Sequence, residues 1–205
     1  QEEIILSGNR IKEVEAALIK NELIDQHAKP ALRFVHKNGR ETLVDVRTDF
    51  AFYTLDSEKS LIDELNKAIQ KYAQYDFLKS YVVGDTNFKV AVRLIPDTEN
   101  TSENLVKGAY QFRVSEKFRL EIINHSKFDI FFNVIDLDPT GGINAIFPNK
   151  GEKIYSEELK VKAGDTLIVR HPITLYDPVG EEVFKVFISK SQLDLEFIAD
   201  SKGEK

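Results

Sequence analysis

The 205-residue chain contains no cysteine, and this absence excludes several kinds of site. Without a thiol there is no disulfide framework, no cysteine nucleophile and no cysteine-based zinc site, so the composition leaves the redox compartment open. Methionine and tryptophan are absent too. Because the chain begins with Gln1 and lacks methionine, we expect it to be a fragment whose amino terminus lies upstream.

A surplus of positive charge and a long apolar run are also missing. The chain has 28 Lys and Arg against 34 Asp and Glu, a formal charge of −6. Since binding to phosphates needs excess cations, this balance predicts no nucleic-acid partner. No apolar run approaches the roughly 20 residues of a membrane helix, and no signal segment is visible. The sequence therefore predicts a soluble chain that binds neither nucleic acid nor membrane.

What the chain does contain is a series of strand patterns, clearest between Gln111 and Asn149. Phe118, Leu120 and Ile122 alternate with charged residues, which is the period of a strand with one buried face. The run from Asp129 to Leu137 is apolar on both faces, which is typical of an interior strand. These two runs predict the core of a β-sandwich.

Short strand patterns separated by turn residues continue over residues 83–200. We count about eight or nine, the last from Asp194 to Ile198, and this spacing is typical of an all-β immunoglobulin-like sandwich. The Cys and Trp residues that mark antibody domains are absent. The polar residues 201–205 are expected to form a frayed tail.

Residues 1–82 have a different pattern, which predicts a small α/β subdomain. Its two helices have apolar stripes at helical spacing, and Asn38-Gly39 between two strand-like runs is a strong hairpin signal. The predicted elements are a strand at Glu3–Ser7, a helix after Asn9 that ends before Pro30, strands at Ala31–His36, Thr42–Val46 and Phe50–Leu55, and a helix at Leu61–Ser80. The predicted fold class is therefore α+β. A subdomain of strand, helix, three strands and helix is followed by an immunoglobulin-like sandwich.

One turn sequence raises the question of a metal site. The run from Asp136 to Gly141 fits the first six positions of a calcium loop, where alternate oxygens and a glycine wrap the ion. The position where such a loop needs a bidentate carboxylate is Phe147, however, and strands are predicted on either side. The four histidines lie at no spacing suited to a shared metal. We therefore predict a plain turn, with no metal and no cofactor.

No catalytic constellation accompanies these elements. Neighbouring carboxylates such as Glu157 and Glu158 would point to opposite faces of a strand, so they could not share a proton. No Ser lies in a Gly-x-Ser-x-Gly elbow, and no Gly-rich phosphate loop occurs. The sequence thus predicts no enzymatic activity for this chain.

The chain is rich in aromatic residues, with 14 Phe and 7 Tyr. Most of them are expected in the core. Four, Tyr72, Tyr75, Phe77 and Tyr81, fall at the junction of the two predicted halves. Because clefts between domains are favoured binding sites, an alternative hypothesis is that these four line an interdomain cleft that binds a small ligand or a peptide.

Two parts of the sequence are similar to known proteins. The first part consists of the stretches ILSGNRIKEVEAALIKNELI, ALRFVHKNGRE and LNKAIQKYAQYDFLKSY. It resembles the segment that follows the peptidase core in bacterial caspase-like proteins. The second part consists of FRLEIINHSKFDIFFNVIDLDPTGGINAIFPNK, VKAGDTLIV and DPVGEEVFKVFIS. It is similar to the domain of unknown function that often ends such proteins. The matching positions include Asn124, Gly141, Ile146-Phe147-Pro148-Asn149, Pro178 and Gly180.

This resemblance implies the accessory part of a caspase-like protein and not its activity. The dyad of such peptidases is a His and a Cys, and no Cys is present here to serve as nucleophile. No catalytic residue is therefore carried over. The resemblance implies a non-catalytic module with a protein partner, either the peptidase domain upstream or another protein. Such a module would regulate or position the peptidase.

Overall fold

A computed structural model of the chain describes residues 29–37, 39–97, 105–106, 109–149, 154–195 and 197–199. The strand predicted at Glu3–Ser7, the helix predicted after Asn9 and the tail predicted at 201–205 lie outside these residues. The described residues form thirteen β-strands, paired in antiparallel sheets, and one α-helix. Of the predicted α+β fold, the coarser part is confirmed, since the described residues are mostly antiparallel β-sheet with one helix. No helix in this part of the chain is long and apolar enough to cross a membrane.

The contacts of the chain divide it into two compact units. Unit 1 comprises Gln1–Tyr81, Leu137–Gly142 and Gly180–Glu182, and unit 2 comprises Val82–Asp136, Ile143–Val179 and Val183–Lys205. Two short segments from the later part of the sequence therefore belong to unit 1. Both segments contribute residues to a small groove in unit 1.

Unit 1 contains a three-stranded antiparallel sheet and the α-helix. The strands are β1 (Leu32–Lys37), β2 (Arg40–Asp45) and β3 (Ala51–Thr54), in that order across the sheet, and the helix is α1 (Leu61–Ser80). The predicted hairpin is present, because β1 pairs with β2 and Gly39 adopts φ +75°, a value that favours glycine. These three strands and this helix match the predicted elements, with small differences at their ends.

Helix α1 has one apolar face, and that face also holds a buried carboxylate. Leu65 and Ala68, three residues apart, are fully buried, as expected of a helix packed on one side. Glu64 is buried beside them. Its Oε1 accepts a hydrogen bond from Lys67 Nζ at 2.8 Å, and its Oε2 accepts one from the Tyr53 hydroxyl at 3.0 Å. The buried charge is therefore paired, which offsets the cost of removing it from water.

Unit 2 is built from two antiparallel sheets and a short hairpin. Its strands in chain order are β4 (Val90–Pro96), β5 (Leu105–Val106), β6 (Ala109–Tyr110), β7 (Lys117–Asn124), β8 (Ile130–Leu137), β9 (Ile143–Phe147), β10 (Lys160–Val161), β11 (Thr166–Ile168), β12 (Ile173–Thr174) and β13 (Val183–Ser189). In one sheet β7 pairs with β4, β11 and β12, and in the other β8 pairs with β9, β10 and β13. Strands β5 and β6 pair only with each other among the described residues.

The two sheets of unit 2 share one hydrophobic core. Phe118 and Ile122 of β7 are fully buried, and so are Ile130 and Val134 of β8. The ring of Phe118 meets the ring of Phe184 on β13 edge to face, with centroids 5.2 Å apart, which joins the two sheets directly. The alternation in β7 and the continuous apolar run in β8 therefore have the burial that the sequence predicts. The arrangement agrees with a β-rich sandwich.

A buried asparagine fixes the connection between these two sheets. Asn124, at the end of β7, has no exposed surface. Its Nδ2 lies at hydrogen-bond distance from the carbonyl oxygens of Phe128, Val161 and Lys162, at 2.9, 3.1 and 3.0 Å, and its Oδ1 accepts from Ser126 N at 2.9 Å. One side chain thus bonds to backbone groups of two segments, Ser126–Phe128 and Val161–Lys162, and gives the buried carbonyl of Val161 a donor.

The strand predicted at Asp194–Ile198 is wrong for the described residues there. Residues 192–195 have no regular structure, and Ile198 N donates to Leu195 O at 3.1 Å, which closes a turn. The carbonyl oxygen of Leu193 instead accepts a hydrogen bond from Asn133 Nδ2 at 3.0 Å. An alternating pattern forms a strand only where another strand is available for pairing, and no described strand pairs with this segment.

Candidate functional site

A small groove lies within unit 1, where its two late segments meet α1 and the sheet. Its volume is about 60 Å³. The residues that line it are Asp45, Arg47, Thr48, Phe52, Tyr75, Lys79, Pro139, Gly141 and Glu181. Pockets for drug-sized ligands have volumes of roughly 300–1,000 Å³, so this groove has room for a few atoms only.

The turn from Asp138 to Gly142 forms one wall of the groove. Asp138 Oδ1 accepts three hydrogen bonds, from Thr140 N at 2.8 Å, Thr140 Oγ1 at 2.7 Å and Gly142 N at 2.9 Å. An Asp that binds the backbone two residues on is a common way to close a turn, and the predicted turn is present. The oxygen that a calcium loop would use is therefore engaged within the turn itself. The described residues contain no group of three or more His, Asp or Glu that could hold a metal ion.

Tyr75 of α1 connects the helix to this turn. Its hydroxyl donates to the carbonyl oxygen of Asp138 at 3.0 Å, and its side chain is buried. Burial, together with the nearby negative charge of Asp138, raises the pKa of Tyr75 to about 12. The phenol therefore stays protonated at neutral pH and acts as a hydrogen-bond donor.

Gly141 allows the turn to approach β3 closely. It has φ +83°, and a β-carbon added there would lie 1.9 Å from Cε2 of Phe52. The ring of Phe52 is itself held edge to face by Tyr72 and Tyr75, with centroid distances of 5.1 and 5.9 Å. Only glycine fits this position without moving the ring.

The charged residues of the groove are paired with one another. Asp45 is buried and accepts hydrogen bonds from Arg47 N at 2.7 Å and from the Arg47 guanidinium at 3.2 Å. The hydrogen bond with Asp45 raises the pKa of Arg47. On the other side, Lys79 Nζ forms a salt bridge with Glu181 at 2.7 Å. Two ion pairs therefore flank the point where Tyr75 meets the turn.

The structure separates the four aromatic residues of the cleft hypothesis into two pairs. Tyr72 and Tyr75 contact Phe52 in unit 1, as described above. Phe77 and Tyr81 form a second pair, with centroids 5.0 Å apart, and both are exposed, at 58% and 42%. Of the four residues predicted from the sequence, Tyr75 lines the groove, and Tyr72 packs against the ring of Phe52, which also lines it.

The other groove residues were missed because no local pattern marks them. Asp45 and Arg47 pair with each other in the turn after β2, which is an ordinary turn contact, and the partners of Phe52 and Lys79 are distant in the sequence. The signal that could have drawn attention to the groove is Gly141, since adjacent glycines after Asp-Pro-Thr suggest a close approach of the backbone. The partner of that approach, Phe52, has no signal in the sequence.

A second depression lies at the start of α1 and has a volume of about 180 Å³. It is lined by His36, Gly39, Glu41, Leu55, Asp56, Ser57, Lys59 and Leu61. Two of its charged residues pair with each other, since Lys59 Nζ lies 2.9 Å from Asp56 Oδ2. Both of these side chains are exposed, so the pair contributes little to stability.

The residues around the groove in unit 1 therefore stabilise one another's positions. The buried Tyr75 and the close approach of Gly141 hold the Asp138 turn against α1 and β3, and the Lys79–Glu181 ion pair joins the Gly180–Glu182 segment to α1. Such a site can position a chain segment with high precision. A comparison of the chain with protein-family models, curated proteins and solved structures finds no match.

Proposed function

We propose that this chain is a non-catalytic accessory module of a caspase-like bacterial protein, which regulates or positions the peptidase or binds another protein. In this proposal residues 1–82 form a small α/β subdomain, and residues 83–200 form an immunoglobulin-like sandwich. The support from sequence is the resemblance of two separate stretches to the accessory parts of such proteins, together with the absence of any cysteine that could act as nucleophile.

The main support for the proposal is that the residues matching the accessory parts of caspase-like proteins stabilise this fold. The side chain of Asn124 is buried and bonds to three backbone carbonyl groups, and Gly141 provides the close approach to Phe52. Phe147 is buried. Asn149 pairs through its backbone with Ile154, with bonds of 3.0 and 2.9 Å. These residues stabilise the fold, which is the role expected of matching residues in a non-catalytic accessory module.

The groove of unit 1 supports the same proposal. Its volume of about 60 Å³ is far smaller than a peptide side chain with its backbone requires. Its charged groups Asp45 and Arg47, and Lys79 and Glu181, are engaged in pairs. A groove of this kind fixes chain segments in place, so we assign the function to the surface of the module and not to chemistry in this groove.

Two measurements test the proposal. The purified 205-residue chain should not hydrolyse fluorogenic peptides with a basic or an acidic residue before the cleaved bond. The matched control is the peptidase domain that we expect to be encoded upstream, assayed alone and with the 205-residue chain added. We expect the added chain to bind that domain or to change its rate. Hydrolysis by the chain alone that persists through repurification and disappears on denaturation would overturn the proposal.

The family assignment has its own test, which is independent of the assay. The reading frame upstream of Gln1 should encode an α/β core with a His and a Cys at the positions of a peptidase dyad. An upstream frame without such a core would remove the caspase-like part of the proposal. A non-catalytic module in some other protein would then remain to be tested by binding alone.

A further inference from the structure

The chain passes between the two compact units at several points, and the first of these is an ordinary linker. The points lie after Tyr81, Asp136, Gly142, Val179 and Glu182. Residues 81–85, which follow α1, have no regular structure and are exposed. An exposed linker of this kind is what separates domains that can fold alone.

Three of the later crossings lie within or directly beside strands. Strand β8 belongs to unit 2 except for its last residue, Leu137, which belongs to unit 1. Strand β9 begins at Ile143, directly after Gly142, and β13 begins at Val183, directly after Glu182. Leu137 and Ile143 are both fully buried. No stretch of linker therefore separates the units at these three crossings.

The turn between β8 and β9 is anchored in unit 1. Its backbone is closed by two hydrogen bonds, from Asp138 N to Gly142 O and from Gly141 N to Asp138 O, both at 3.0 Å. Tyr75 of α1 donates to the Asp138 carbonyl oxygen, and Gly141 packs against the ring of Phe52 on β3. If α1 or β3 unfolds, these contacts are lost, and the turn that fixes the register of β8 and β9 is released.

The segment that leads into β13 is anchored beside the same turn. A β-carbon added at Gly180 would lie 2.5 Å from Pro139 Cβ and 3.0 Å from Phe50 Cε2, so the backbone there packs closely against both residues. The next residue, Glu181, forms the ion pair with Lys79 of α1. Unfolding of α1 would therefore also free the residues that lead directly into β13.

The strands that continue from these two anchored segments belong to one sheet of unit 2. Strand β8 pairs with both β9 and β13. Phe132 and Val134 of β8 are buried in the core of unit 2. A loss of register in these three strands would expose that core to water, which is the main cost of unfolding. The stability of this sheet therefore depends on contacts that lie in unit 1.

We propose that the two units form one cooperative folding unit, coupled through the Asp138 turn and the Gly180–Glu182 segment. A loss of stability in either unit is then transmitted to the other, and a protein that binds either unit stabilises both. Chains with more than one domain usually do not unfold in a single step, so the division into two units does not by itself predict this behaviour. The coupling does not depend on which partner the module binds.

Hydrogen exchange of the backbone amides, measured by NMR on the full 205-residue chain, tests this coupling. The probes are the buried amides of Leu55 in unit 1 and Val169 in unit 2, each of which donates a backbone hydrogen bond, at 2.8 and 2.9 Å. Tyr75→Phe removes one hydrogen bond within unit 1 and should speed exchange at both probes by the same factor, about fivefold. Asn124→Ala, a change in unit 2, should likewise speed exchange at both probes equally.

The matched control is Val82→Ser, which changes a linker residue that is 83% exposed and should leave both exchange rates unchanged. Differential scanning calorimetry of the parent chain gives a second test that needs no variant. It should show a single transition whose calorimetric and van't Hoff enthalpies agree. Two separate transitions, or variants that change the exchange rate only in the unit that carries them, would show that the units unfold independently and that the proposal is wrong.

Discussion

Replacing Gly141 by alanine should destabilise unit 1 by more than its backbone conformation alone explains. Gly141 has φ +83°, where a residue with a β-carbon costs about 1–2 kcal/mol. The new β-carbon would also lie 1.9, 2.3 and 2.7 Å from three atoms of the Phe52 ring. Forcing an extra carbon into a packed site adds about 1–3 kcal/mol. We expect Gly141→Ala to lower the free energy of unfolding by about 2–5 kcal/mol, as the sum of these terms.

The matched control for this change is Gly39→Ala. Gly39 has a similar φ of +75°, and a β-carbon there would meet nothing within 4 Å. It also lies in unit 1, so both changes fall in the same compact unit. We expect Gly39→Ala to cost only the backbone term, about 1–2 kcal/mol. The difference between the two variants isolates the contact with Phe52.

The assay is urea unfolding, followed by far-ultraviolet circular dichroism and tyrosine fluorescence, since the chain has no tryptophan. Adding Phe52→Ala should remove the clash, so the double variant should lose less stability than the two single losses added together. Equal losses for Gly141→Ala and Gly39→Ala, or strict additivity with Phe52→Ala, would refute the close approach of the turn to the ring.

Three further predictions use the same unfolding assay. Tyr75→Phe removes the hydrogen bond to Asp138 and should cost about 1 kcal/mol, whereas no loss would mean that the bond is unimportant. Asn124→Ala removes the side chain that bonds to Ser126 N and to the carbonyl oxygens of Phe128 and Val161, and it should cost about 1–3 kcal/mol. The hydrogen bond from Lys67 lowers the pKa of Glu64, so its contribution is present above the ordinary pKa and is lost as the pH falls through the lowered value. Glu64→Gln should therefore flatten the acid side of the stability profile, and an unchanged profile would contradict this.

The sequence alone predicted most of the local structure. The alternation of Phe118, Leu120 and Ile122 predicts β7, and the apolar run after Asp129 predicts the buried strand β8. The stripe of helix α1 predicts its span, and the signal at Gly39 predicts the hairpin. These predictions succeed because periodicity and turn chemistry act on the backbone over a few residues.

The tertiary structure decided what these elements do to one another. The Tyr75 hydroxyl donates to the carbonyl oxygen of Asp138, 63 residues away, and Gly141 leaves room for the ring of Phe52. The sequence predicts the turn but neither of these two contacts. The segment from Asp194 to Ile198 alternates like a strand, yet it pairs with no described strand. A strand needs a partner strand, and a binding site needs side chains from several segments, and these are often distant in the sequence. Local patterns therefore determine the helix and most strands of the described residues, and only long-range packing determines the groove.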